Sequence, residues 1–192
     1  MELAAVSFEA PDLIEPVLGF RQWRLDGDGL RSVHVDQRWT CRSVEATCRA
    51  RAHPGRPAPV SGCTCGIYAW YRRVPRLASA GTDDLVSGAV VLWGAVELHH
   101  DGMRAQRAEV VALALPPWAG RKRRRLVDVA EALGVPAVPY RAVPAVGRRR
   151  GRPVPDDLRP AAPHRPRAGA RPDVFATAVS AVSAKRPSTP SS

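Results

Sequence analysis

VSGAVVLWGAVELHHDGMRAQRAEVVALAL, residues 86–115, is the stretch on which the fold turns. Its first half carries Val90-Val91-Leu92-Trp93 and Val96-Glu97-Leu98, its second runs from Met103 to Leu115, and Asp101-Gly102 stands between them. Asp-Gly pairs suit hairpin turns because glycine enters positive φ without a Cβ clash. Two apolar runs around such a pair predict a long antiparallel hairpin. Gly88 and Gly94 interrupt the first run, and glycine inside a strand marks a bulge or sharp bend. The sheet is therefore expected to curl.

Upstream the pattern recurs on a smaller scale. Phe20 to Leu25, then Asp26-Gly27-Asp28-Gly29, then Leu30 to Val35 read as strand, turn and strand, and a third strand is expected over 43–49. Several short strands in this span favour a small barrel-like or strongly bent antiparallel sheet, because closure removes exposed edges. Downstream, Pro116-Pro117 stops the hairpin. Leu126, Val129, Ala130 and Leu133 then recur at i, i+3, i+4 and i+7, which predicts a helix over 121–133 ended by Gly134. Residues 135–140 read as a short edge strand containing Pro136 and Pro139. The fold class is mainly β with a C-terminal helix (α+β).

The remaining segments are set by composition. Residues 1–16 hold Glu2, Glu9, Asp12 and Glu15 and read as an acidic extended arm whose Phe8, Leu13 and Ile14 could dock on the core or on a partner. Residues 17–146 read as the β-rich domain. Residues 147–192, rich in arginine and proline, read as a disordered tail with at most a brief helix over 174–182.

Charge divides the chain in the same way. Residues 1–120 carry 13 Lys+Arg and 13 Asp+Glu, and 121–192 carry 16 and 5, which together make the totals of 29 and 18 and the net charge of +11. All five tryptophans lie in the neutral part, so core-forming material is concentrated there. No signal peptide is visible at the N-terminus, and no apolar run approaches the roughly 20 residues that span a bilayer. A cytoplasmic protein without a membrane segment is expected, and its four cysteines point to reduced thiols or metal ligands rather than a disulfide framework.

Cys48, His53, Cys63 and Cys65 make a C-x4-H-x9-C-x-C array. Thiolates and imidazole supply the tetrahedral set that structural zinc takes, and metal would give the proline- and glycine-rich segment 49–62 a reason to be ordered. If Cys63-Thr64-Cys65 is extended, both sulfurs lie on one side and can face one ion. The bland alternative is that these cysteines are small buried hydrophobes and His53 an ordinary loop residue; an iron–sulfur centre fits less well than either. Cys41 could stand in for His53 but is expected to be simply buried. His99 and His100 are expected at exposed strand ends, and His34 and His164 have no identifiable partners.

The basic residues form two groups, Arg121, Lys122, Arg123, Arg124 and Arg125, then Arg148, Arg149, Arg150 and Arg152. Cations at a helix N-terminus oppose its macrodipole, so the first group calls for a reason beyond stability. Phosphate neutralisation on RNA or DNA supplies one. The alternatives are a solvated basic tail without a partner, or an internal contact with the acidic arm. Phe175 is the tail's one aromatic residue, which argues against base stacking there.

Three functions follow. The first is a non-catalytic zinc-stabilised β domain with an arginine-rich extension, nucleic-acid-associated or an adaptor. The second is a metal- or thiol-dependent enzyme using Cys63, Cys65 and His53. The third is a protein-interaction module with an incidental basic tail. No phosphate-cradling loop or dinucleotide fingerprint is present.

Cys48, His53, the run Gly62 to Ala69 (GCTCGIYA), Val91 to Val96 (VLWGAV) and His100 to Ala105 (HDGMRA) together resemble a family of small uncharacterised proteins of actinobacteria and some firmicutes, whose Gly-Tyr/Phe-Arg-x-Trp opening is matched by Gly19-Phe20-Arg21-Gln22-Trp23. The resemblance covers about residues 19–115 and implies no activity. It favours Cys48, His53, Cys63 and Cys65 as the working set and leaves Cys41 and the basic tail outside the shared pattern.

Overall fold

The computed structural model describes residues 15–50, 52–73, 85–116 and 120–161. Within them the chain forms β1 (Val17–Asp26), β2 (Gly29–Ser32), β3 (Arg38–Trp39), β4 (Ser43–Glu45), β5 (Ile67–Trp70), β6 (Leu85–Leu98), β7 (Gly102–Leu115), α1 (Arg121–Ala132), β8 (Ala137–Pro139), α2 (Val143–Gly147) and β9 (Arg152–Pro153), with 3-10 turns at Tyr140–Ala142 and Asp156–Leu158. The fold is mainly β, as the alternation predicts.

The β6–β7 hairpin is the spine of one bent sheet. β6 also pairs antiparallel with β1, from Val17↔Leu92 to Arg24↔Leu85. β7 pairs antiparallel with β5 (Ile67↔Ala105 to Trp70↔Gly102) and β4 (Ser43↔Glu109), and parallel with β8. β5 meets β1 at Phe20↔Trp70. The register slips between Trp93 and Val96, where Gly94 and Ala95 stand against Gln106 alone, so the expected bulge lies at Gly94. The other slip, next to Gly88, has its extra residue on the facing strand, at Val111. Bulges of this kind increase twist and bend a sheet.

That bend gives β1, β6 and β7 two buried faces. One holds Trp23, Leu30, Trp39, Ile67, Val90, Leu92, Met103 and Val110, and is closed by Leu126, Val129, Ala130 and Leu133 of the α1 region. The other holds Leu18, Phe20, Ala89, Val91, Val111 and Ala112 under Val143 of α2.

The basic tail begins later than composition indicates. Residues 147–161, expected to belong to it, carry the end of α2, β9 and a buried Val154. β9 lies parallel to β1 at Val17↔Arg152, and the Arg152 amide donates to the Pro16 carbonyl at 3.0 Å. Backbone pairing of this kind leaves little trace in composition, which counts only the charges and prolines. Residues 1–14 of the acidic arm and residues 162–192, including the brief helix over 174–182, lie outside the described residues.

Gly102 opens β7 where β5 crosses closest. A Cβ there would sit 2.3 Å from the Ala69 carbonyl oxygen, a backbone atom that cannot swing away. Gly102→Ala should destabilise the fold by about 1–3 kcal/mol, the usual range for overpacking, measured as a lowered urea midpoint. An unchanged midpoint would show that β5 and β7 can part at this point without loss.

Candidate metal centre

The centre is assembled on the loop between β4 and β5. Ala46 and Ala58 are buried in the first core, so both limbs of the loop are tied to the sheet, and its proline- and glycine-rich middle arches between them. The C-x-C pair comes immediately before β5, with Gly62 and Gly66 on either side at φ of 78° and 125°. At Gly66 a Cβ would press to 3.2 Å on the Cβ of Arg104 and to 3.3 Å on Pro59. Only glycine serves both the dihedral and the close approach.

The structure brings Cys48, His53, Cys63 and Cys65 together: one ligand atom from each lies within 4.8 Å of all the others. Cys48 Sγ and Cys63 Sγ are 3.7 Å apart, and His53 Nε2 is 3.1 Å from Cys65 Sγ. Bonds of about 2.3 Å to a tetrahedral zinc would set two sulfurs about 3.8 Å apart. The four side chains could therefore hold a metal ion with small adjustments. All four residues are partly buried.

The histidine is also presented correctly. His53 Nδ1 lies 3.3 Å from the Arg56 carbonyl oxygen. A carbonyl can only accept, so this contact places the proton on Nδ1 and leaves the Nε2 lone pair facing Cys65. Metal-bound histidines are oriented by the same kind of backbone hydrogen bond. The thiols differ in their proton affinity. The Cys65 backbone N–H, joined by the side chains of Cys65, His53 and Cys48, outweighs partial burial and holds the Cys63 thiol down at about 7. Burial and the neighbouring Cys63 and Cys48 push Cys65 up.

Beneath the loop lies a group that spacing alone did not single out. Arg104 of β7, its side chain only 4% exposed, donates from Nη1 to the carbonyls of Cys63 and Cys65, the latter at 3.0 Å, and from Nη2 to the Val60 carbonyl at 3.3 Å. Its Nε and Nη2 reach Glu97 Oε2 at 3.1 and 2.6 Å. Tyr68 closes the arrangement by donating its hydroxyl to the Thr64 carbonyl at 2.8 Å. The signal for the ion pair lies in the register. The observed register turns at His100-Asp101 and sets Glu97 directly opposite Arg104, and opposite charges on facing positions attract; a turn centred on Asp101-Gly102 would instead have put Gln106 there.

The other candidate groups stand apart. Cys41, expected to be buried, is exposed, and its thiol lies 2.9 Å from the Ser43 carbonyl. It sits on the surface turn between β3 and β4, outside the core. His99 and His100 are about half exposed, beside Glu97 and Asp101 respectively. His34 is exposed, and His164 lies outside the described residues.

The basic residues are largely occupied within the fold. Lys122 donates to the Leu85 carbonyl at 3.0 Å, Arg123 to Pro116 at 3.0 Å and Arg125 to Gly27 at 3.4 Å. Arg150 bonds Glu109 at 3.0 Å and Arg152 bonds Glu15 at 2.7 Å. Arg121, Arg124, Arg148 and Arg149 are exposed. α1 has no side-chain cap and no acidic residue in its first turn, and three of the cations there tie the helix start to surrounding carbonyls. That is a structural use for charges that the macrodipole argument leaves unexplained.

Comparison with protein-family models, with curated proteins and with solved structures finds no match to this chain. No helix among the described residues is long and apolar enough to cross a membrane.

Proposed function

We propose that this chain is a non-catalytic, zinc-stabilised β domain in which Cys48, His53, Cys63 and Cys65 form a closed structural site, and that it acts as an adaptor rather than through chemistry of its own. The observation that carries this reading is the convergence of three sulfurs and a correctly oriented imidazole within 4.8 Å. Soft thiolates with one imidazole favour zinc over the oxygen-seeking divalent cations. Four protein ligands fill a tetrahedron and leave no position for a reactive water. The resemblance noted in the sequence favours the same four residues. The same reading takes the sheet as a small closed barrel, since pairing passes from β1 to β6, β7 and β5 and returns to β1.

Metal analysis of protein purified without chelator should give about one equivalent of zinc, and cobalt substitution should produce the sulfur-to-metal charge-transfer absorption of a thiolate site. Less than about half an equivalent, unchanged by Cys63→Ser, would sink the reading.

An RNA or DNA partner is not part of this proposal. Five of the nine basic side chains expected to contact phosphate are engaged within the protein.

A further inference from the structure

We propose that Arg104, braced by Glu97, is the positioning residue of this centre: it holds residues 60–65 in their liganding shape before metal arrives and so sets metal affinity. The inference rests on the four-residue site proposed above and goes beyond it to a group that touches no metal.

Arg104 is one of two buried polar or charged residues among those described, the other being Ser32. A guanidinium removed from water is costly unless it is both paired and hydrogen-bonded. Arg104 meets both conditions through partners of two kinds. Glu97, its register partner on β6, supplies the counter-charge. The other acceptors are three carbonyls of one loop, at Val60, Cys63 and Cys65. Two of these belong to the candidate ligands themselves. A planar fork of five N–H groups can hold several acceptors in fixed relation, which a flexible ammonium cannot.

The direction of these bonds matters as much as their number. The Val60, Cys63 and Cys65 carbonyl oxygens are taken up by Arg104 and not by the ligand cluster. Tyr68 anchors the Thr64 carbonyl, and the N–H across that same peptide, belonging to Cys65, is the one that donates to the Cys63 sulfur. The 60–65 segment is thus fastened by its carbonyls and presents two of the three thiols, Cys63 and Cys65, to the cluster. A chain segment pre-shaped in this way has less conformational entropy to lose when metal binds.

The test uses the full chain and zinc competition against a chromophoric chelator. Arg104→Gln should bind zinc about 10- to 100-fold more weakly, the range found when outer partners of metal ligands are removed. The positions of its cobalt absorption bands should not move, because the ligands are the same. Arg104→Lys should leave most of the loss in place, since an ammonium restores charge without the fork. Glu97→Gln, nearly isosteric, should weaken binding by a smaller factor and serves as the readout if Arg104→Gln does not fold. A folded Arg104→Gln protein within twofold of wild type, or full rescue by lysine, overturns the positioning role while leaving the site itself intact. So does Glu97→Gln within twofold of wild type where it is the readout. A wild-type chain that takes up neither zinc nor cobalt overturns the site, and this inference with it.

Discussion

Trp39→Ala should lower stability by about 3–5 kcal/mol, the range for truncating a buried tryptophan. At about 2–4 °C per kcal/mol for a chain of this size, the thermal midpoint should fall by about 6–20 °C. Trp39 is fully buried on the short strand β3. Its ring stands edge-on to Trp23 at 5.5 Å and 77°, an arrangement that adds to the burial itself. Its Nε1–H donates to Ser32 Oγ at 3.1 Å, and the Arg21 guanidinium lies 5.4 Å from its ring centroid. Removing the ring opens a cavity beside Trp23 and uncovers Arg21, whose burial already draws its pKa down to about 10. Trp93→Ala is the control. Trp93 is only partly buried at the edge of the second core, and its loss should cost about 1 kcal/mol. Equal effects from the two substitutions would mean that the Trp23–Trp39 pair does not organise the first core.

Much of this architecture was legible because strand periodicity and turn chemistry are local. The turn at Gly27 and the α1 stripe of Leu126, Val129 and Ala130 stand where spacing puts them, and the long hairpin turns one residue earlier than its Asp-Gly pair, at His100-Asp101, with Gly102 opening β7. What spacing could not show is pairing across distance. β9 reaches back to β1 from a stretch of arginine, glycine and proline, and Gly147 and Gly151 let it lie close, with only 2.6 Å from a Cβ at Gly147 to Leu18. Nothing in a window around residue 150 reports the presence of β1.

The candidate site divides along the same line. Four residues of two chemically distinctive types, cysteine and histidine, within 18 positions were readable as ligands from their chemistry, and the fold brings those four together. Cys41 is the same residue type but was set aside by the resemblance, and the fold places it exposed on the β3–β4 turn, outside the cluster. Arg104 carried the opposite difficulty. One arginine among 27 has no distinguishing mark until the register places it under the loop. For the basic run at 121–125, the Leu85 and Gly27 carbonyls that accept from Lys122 and Arg125 are distant in sequence, so these internal contacts left no local trace.

Stripping zinc with a chelator, or replacing Cys63 by serine, should loosen the 46–66 loop first and lower global stability second. A ligand that binds only the folded state adds about 4 kcal/mol when it is present at a thousandfold above its Kd. Its removal should therefore lower the midpoint by about 10 °C for a chain of this length. Of the four ligands only Cys65 packs against the sheet core, and it is only partly buried, so the stripped protein should remain folded. Arg49 lies between the ligands and is followed by Ala50, and trypsin should cut there only after metal is removed. pH gives a further check on the stripped form. Cys63 sits near 7 in the fold against an ordinary 9.0, so its contribution is complete above about pH 9 and is lost as pH falls through 7. Cys65 is shifted the other way, upward by burial, so its contribution is present below pH 9 and is lost as pH rises through its raised value. The metal-free protein should therefore gain stability between pH 7 and 9 and lose some of it above. Metal-bound protein should instead lose stability on the acid side, where protons compete with the ion for the thiolates. Identical melting and cleavage with and without chelator, at every pH, would show that the loop needs no metal to hold its shape.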